Sequence, residues 1–115
     1  MANKTLVYFV SLSSNAPFVL KEALHHVSQG NEVSVFFDLD GARVLDPRYF
    51  KNIENTHNMD MSSLLTTTLS KGVKLYGCQM NVLVADGFEI VEGAELAGVA
   101  TFLEIAYKAN AVLSY

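Results

Sequence analysis

The chain is short of charge, nearly devoid of cysteine and free of long apolar runs, and each shortage excludes something. Only 17% of its 115 residues are charged, and eight lysines and arginines against twelve aspartates and glutamates leave a formal net charge of −4. No run of Lys or Arg occurs, which argues against nucleic acid or an anionic membrane surface as a partner. Cys78 is the single cysteine. Neither an intrachain disulfide nor a Cys-x-x-Cys redox pair can therefore form, and a reducing compartment is the natural setting. No apolar stretch approaches the roughly 20 residues of a membrane span. The opening Met-Ala-Asn-Lys-Thr-Leu runs straight into a strand pattern without a signal-peptide layout, which predicts a cytoplasmic protein. Two catalytic signatures are missing: the Gly-x-Ser-x-Gly nucleophile elbow and the Walker phosphate loop. His25 and His26 are the only clustered histidines. Adjacent helical residues diverge by about 100°, and neither has a His or Cys three or four positions away, so no metal site and no cofactor are expected.

What remains is hydrophobic and regularly punctuated. Half of the residues are apolar, and a chain of this length buries a real core without disulfides or metal, so residues 1–115 are expected to form one domain. Residues 5–12 are almost continuously apolar or β-favouring, as in a strand covered on both faces. Ser13, Ser14 and Asn15 offer helix caps, Pro17 suits a first helical turn, and Leu20, Ala23, Leu24 and Val27 form one stripe. Gly30 closes that helix, and residues 33–37 give a second strand, so the first unit is a right-handed parallel crossover.

Asp38-Leu39-Asp40-Gly41 reads as a turn after that strand. Two carboxylates there also suit magnesium or a phosphoryl group, but a phosphoreceiver needs a lysine after a later strand, and Lys74 lies inside its strand. Residues 46–58 are irregular, with a helical turn after Pro47 and no sustained stripe. Such a segment is an excursion or a lid that brings Arg48 and His57 toward a site. Asp60 or Ser62 caps the next helix, carrying Met61, Leu64, Leu65 and Leu69 and ending at Lys71-Gly72. The strand that follows, residues 73–76, is broken by Gly77. A short helix over residues 79–86 ends at Gly87, residues 88–91 form a fourth strand or link, and residues 96–108 form a helix with a Glu104–Lys108 pair. Residues 111–113 close the sheet. The expectation is an α/β fold: a three-layer α/β/α sandwich with an open, mainly parallel sheet of about five strands.

Cys78 stands out in this layout. It falls at the carboxyl end of a strand and in the first turn of the next expected helix, at the sheet edge where ligands collect. Unpaired amides and the helix dipole there favour an anion, so the thiol ionises more easily than a free one. The alternative is an inert core cysteine that packs as a small hydrophobe.

Residues 72–80, Gly-Val-Lys-Leu-Tyr-Gly-Cys-Gln-Met, together with residues 91–103, Val-Glu-Gly-Ala-Glu-Leu-Ala-Gly-Val-Ala-Thr-Phe-Leu, resemble the C-terminal half of DsrE/DsrF-like proteins, in particular the peroxiredoxin-like branch of the DsrEFH superfamily. The resemblance begins near Lys71. Before it, only the β-α-β layout and the Asp40-Gly41 turn are shared, and the resemblance does not place residues 46–58. It implies a homo-oligomer, trimeric or hexameric. It also implies a persulfide on Cys78, exchanged with a TusA-like sulfur carrier or another thiol protein. Gly77 and Gln79 would supply close backbone approach and N–H donors, and Ser13, Asn15 and Asp40 would border the same crevice. A lone cysteine suits sulfur transfer to a partner thiol, whereas a self-contained disulfide peroxidase needs a resolving cysteine. The competing reading is a non-catalytic oligomeric module whose crevice binds a small ligand or a partner chain.

Overall fold

A computed structural model of the chain describes residues 4–78 and 90–115. Two interior strands organise it. β1 (Thr5–Val10) and β2 (Glu32–Phe37) pair in parallel from Thr5↔Glu32 to Val10↔Phe37, and every residue from Val33 to Phe37 is buried. Their near-continuous apolar runs follow from having neighbours on both faces. β3 (Lys74–Cys78), β4 (Glu95–Ala97) and β5 (Ala111–Ser114) complete an all-parallel sheet of order β4-β3-β2-β1-β5.

Period-two alternation sorts the strand residues into two cores. Tyr8 and Val10, Val33, Val35 and Phe37, with Val73 and Leu75, pack against one set of helices. These are α1 (Ala16–Ser28), α2 (Phe50–His57) and α3 (Met61–Ser70), which contribute Val19, Leu20 and Ala23, Ile53, and Met61 and Leu65. The opposite face carries Val7, Phe36, Tyr76 and Ala97 under α4 (Val99–Lys108), whose Phe102 and Ile105 cover them. A fully buried Phe37 or Leu20 contributes about 2 kcal/mol of transfer free energy on the area scale. The first core is covered by three helices, and among the described residues the second is covered by one ten-residue helix. Among the described residues no helix is long and apolar enough to cross a membrane.

Local chemistry sets the boundaries. Pro17 stands in the first turn of α1, and Gly30 (φ 88°) and Gly72 (φ 92°) take left-handed backbone just beyond the ends of α1 and α3. The Asp60 carboxylate accepts from the Ser63 amide at 3.0 Å and caps α3. Thr66, Thr67 and Thr68 are poor helix formers, but Thr68 is fully buried and donates to the Leu64 carbonyl, so packing holds this turn.

Several features differ from the sequence reading. Gly77 does not end its strand: β3 continues through Cys78, because Gly77 pairs with Phe37 on one side and Leu96 on the other. Leu96 belongs to β4 rather than to a helix, and α4 begins only after Gly98, which takes an extended conformation at the cap. Ladder pairing overrides helical spacing there. Residues 46–58 are ordered into a 3₁₀ turn (Pro47–Tyr49) followed by α2. Glu104 and Lys108 are not among the ion pairs of the described residues. The expected helix over residues 79–86, its Gly87 cap, and Phe88 and Glu89 of the expected fourth strand lie outside the described residues. Ile90 and Val91 are irregular, and the Val91 amide donates to the Leu45 carbonyl at 2.9 Å.

Candidate functional site

Cys78 is the last residue of β3, half-buried, in register with Ala97 of β4. Its parity is that of Tyr76, so it faces the side of the sheet beneath α4. A cavity of about 240 Å³ opens there, with Cys78 in its wall. Phe9, Phe36 and Phe102 form an aromatic floor. The Phe102 ring meets Phe36 edge-on at 5.0 Å and Phe9 at 5.1 Å, and Phe36 stacks on Tyr76 at 4.5 Å and 13°. Ala97, Val99 and Leu103 add aliphatic wall. Asp38, one residue beyond β2, is the only charged residue lining it among the described residues.

The topology makes this crevice. The chain leaving β2 turns over the α1 side as a 3₁₀ run (Leu39–Leu45), whereas the chain leaving β4 enters α4 on the other side. β3 lies between these opposed exits, and a parallel sheet opens at its carboxyl edge where successive exits diverge. The amino terminus of α4, at Gly98 and Val99, also borders the cavity. Its first-turn amides have no partners within the helix, so a helix terminus adjoins the thiol; the helix expected over residues 79–86 lies outside the described residues.

The remaining expected site residues are distributed differently. Gly77 is buried beside Cys78 within the strand, and Gln79 lies outside the described residues. Ser13 donates both its amide and its hydroxyl to Asp40 Oδ2, at 2.7 and 2.8 Å, and Arg43 stands 3.6 Å from the other oxygen. The Ser13 amide, then its hydroxyl, then Arg43 hold the Asp40 carboxyl below its ordinary range, against a smaller effect of burial. Asn15 donates to the Tyr115 carbonyl at 3.2 Å. Ser13, Asn15 and Asp40 thus share the carboxyl edge with Cys78 but do not line its cavity. They join the loops after β1 and β2 and hold the C-terminal residue.

Asp38 and Asp40, expected as a pair, point apart: one lines the cavity and the other serves Ser13. Among the described residues no group of three or more His, Cys, Asp or Glu could hold a metal ion. Arg48 does not reach toward Cys78 but grips Asp46, with Nη2 at 2.7 Å and Nε at 2.9 Å from Oδ2. His26 stands 3.9 Å from Glu22 on the surface of α1. The aromatic floor was missed in the sequence, although same-parity residues on three strands (Phe9, Phe36, and Tyr76 with Cys78) carried the signal.

Comparison with known proteins agrees with the fold. The pattern of the DsrE/DsrF/DrsH-like family matches residues 41–113. The crystal structure of the ychN protein from E. coli superposes with a TM-score of 0.74 over 99% of this chain and 100% of that one, at 14% identity. That likeness is one of fold. A search of curated proteins finds no match.

Proposed function

This chain belongs to the DsrE/DsrF/DrsH-like family, and we propose from there that it is a sulfur-relay protein carrying sulfane sulfur as a persulfide on Cys78. The observation that carries the reading is Cys78 itself: half-buried at the carboxyl end of β3, in the wall of a cavity that the amino terminus of α4 borders.

In the loading step the Cys78 thiolate attacks the outer sulfur of a donor R–S–SH. The new bond is Sγ–S, the donor S–S bond breaks, and R–S⁻ leaves. Cys78–S–SH remains, and no net oxidation occurs. In unloading, an acceptor thiolate attacks that outer sulfur and Cys78 departs as thiolate. Gly77 and the helix terminus supply close backbone approach and amide donors for the anion. One cysteine suffices because the second thiol belongs to the partner, a TusA-like sulfur carrier or another thiol protein in a reducing, cytoplasmic setting.

The working form is a homo-oligomer, a trimer or hexamer. Val99, Leu103 and Tyr107 are 68%, 45% and 85% exposed and lie at i, i+4 and i+8 along α4, an apolar stripe that subunit contact would cover.

A second reading, a non-catalytic module in which Cys78 packs and the cavity holds an apolar ligand, draws on the phenylalanine floor. Intact mass separates the two. Reduced protein incubated with a persulfide donor is expected to gain one sulfur, removable by reductant and absent in Cys78→Ala. No gain from persulfide, polysulfide or thiosulfate, with Cys78 inert to alkylation in the folded protein, would leave the binding module.

A further inference from the structure

A larger cavity, about 570 Å³, lies at the opposite, amino-terminal end of the sheet. Its lining includes Lys71, Lys74 and Lys108, half of the six lysines in a chain of net charge −4, with Glu32 as the only carboxylate among the described residues. None of the three lysines has an acidic partner among the described residues.

Lys71 and Lys108 have a local explanation, since each stands at a helix carboxyl end that favours a cation. Lys74 has none. It is the exposed first residue of β3, in register with Ser34 of β2 and on the same face of the sheet as Tyr76. Ser34 is only 8% exposed, and its hydroxyl makes no hydrogen bond among the described residues. A sealed, unpaired hydroxyl would cost about 1–3 kcal/mol. No such sealed atom exists among the described residues, so the Ser34 oxygen opens into the cavity it lines. Asn31, whose Oδ1 accepts from the Lys4 amide at 3.1 Å, also lines the cavity. Val27, Val33 and Ile105 give the same space an apolar side. Neutral and cationic donors therefore converge on a concave site that also offers hydrophobic contact, the usual make-up of a small-molecule pocket.

We propose that this cavity binds a small organic anion, a phosphate or carboxylate group on an apolar body, with Lys74 and Ser34 holding the charged end. The site lies outside the Cys78 cavity, so it stands or falls independently of the sulfur-relay reading.

Amide-resolved NMR titration of the full chain with phenyl phosphate, benzoate and uncharged benzyl alcohol tests it. One of the two anions is expected to shift the Ser34 and Lys74 amides saturably and to bind at least about tenfold more tightly than benzyl alcohol, a difference of one decade in Kd. Lys74→Gln should lose about tenfold and Ser34→Ala a few-fold, while Cys78→Ala binds as the parent does. Thermal unfolding of Ser34→Ala should be unchanged or raised, because a structural serine would lower it. Failure of both anions to saturate, equal binding of the alcohol, or unchanged affinity in Lys74→Gln overturns the proposal. So does a change of subunit number in Lys74→Gln, which would make the face an interface between copies.

Discussion

Ser13 and Asp40, 27 residues apart, are joined twice at one atom: the serine amide and hydroxyl both donate to Asp40 Oδ2. Only an ionised carboxylate accepts both without competition, so the loops after β1 and β2 are pinned by a charge. Asp40→Ala is expected to lower unfolding stability by about 1–2 kcal/mol, as for loss of hydrogen bonds to a charged group. Urea unfolding at neutral pH measures it, and Ser13→Ala should cost less, since the amide bond survives.

Asp46 is 1% exposed, and its burial alone would raise its pKa. The Arg48 side chain and amide outweigh burial and hold the carboxyl below its ordinary range. The folded value therefore lies below the unfolded one. The stabilisation is fully present above about pH 4, the ordinary carboxylate value, and is lost as pH falls through the folded value. In Arg48→Ala the burial effect remains without its main counterweight, so the same acid limb should flatten or invert. At neutral pH that variant should lose about 2 kcal/mol. Thermal melts across the acid range resolve both effects.

Gly41 is fixed by its neighbour rather than by its backbone angles. A Cβ added there would lie 2.2 Å from the Val10 carbonyl oxygen, an atom that cannot swing aside. The Gly41 amide also donates to Ser11 at 3.1 Å, locking the approach. Gly41→Ala should destabilise by about 1–3 kcal/mol or more, the range for overpacking, read as a lowered denaturation midpoint with unchanged slope.

The exposed stripe of α4 predicts a particle several times the 12.6 kDa chain. Light scattering on the parent protein checks this, and Leu103→Lys combined with Tyr107→Ser should shift the mass toward one chain. A parent protein that is already monomeric would remove the oligomer from the proposed function.

Much of this was legible in the sequence because punctuation and periodicity agreed. Gly30 and Gly72 marked helix ends, and the apolar runs of β1 and β2 reported burial on both faces. Two of the errors share one cause. Gly77 and Leu96 have local preferences that argue against strand, and only the β3–β4 ladder, absent from local sequence, reverses them. At the candidate site, the strand-end position of Cys78 was readable from the chain. The aromatic floor was not recognised because Phe9, Phe36 and Phe102 come together only when three elements stack. Ser13, Asn15 and Asp40 were readable as edge residues, but their hydrogen bonds to each other and to Tyr115 depend on loop conformations that turn residues alone do not specify.

The outer strands are very short: β4 has three residues and β5 four. An open sheet recruits foreign chains through the free amides and carbonyls of its outermost rail, and rails this brief template almost nothing. A chain that is half hydrophobic is thereby guarded against growth by strand addition. The self-association proposed above would then fall to side-chain surfaces, where symmetric contacts end at a fixed number of copies.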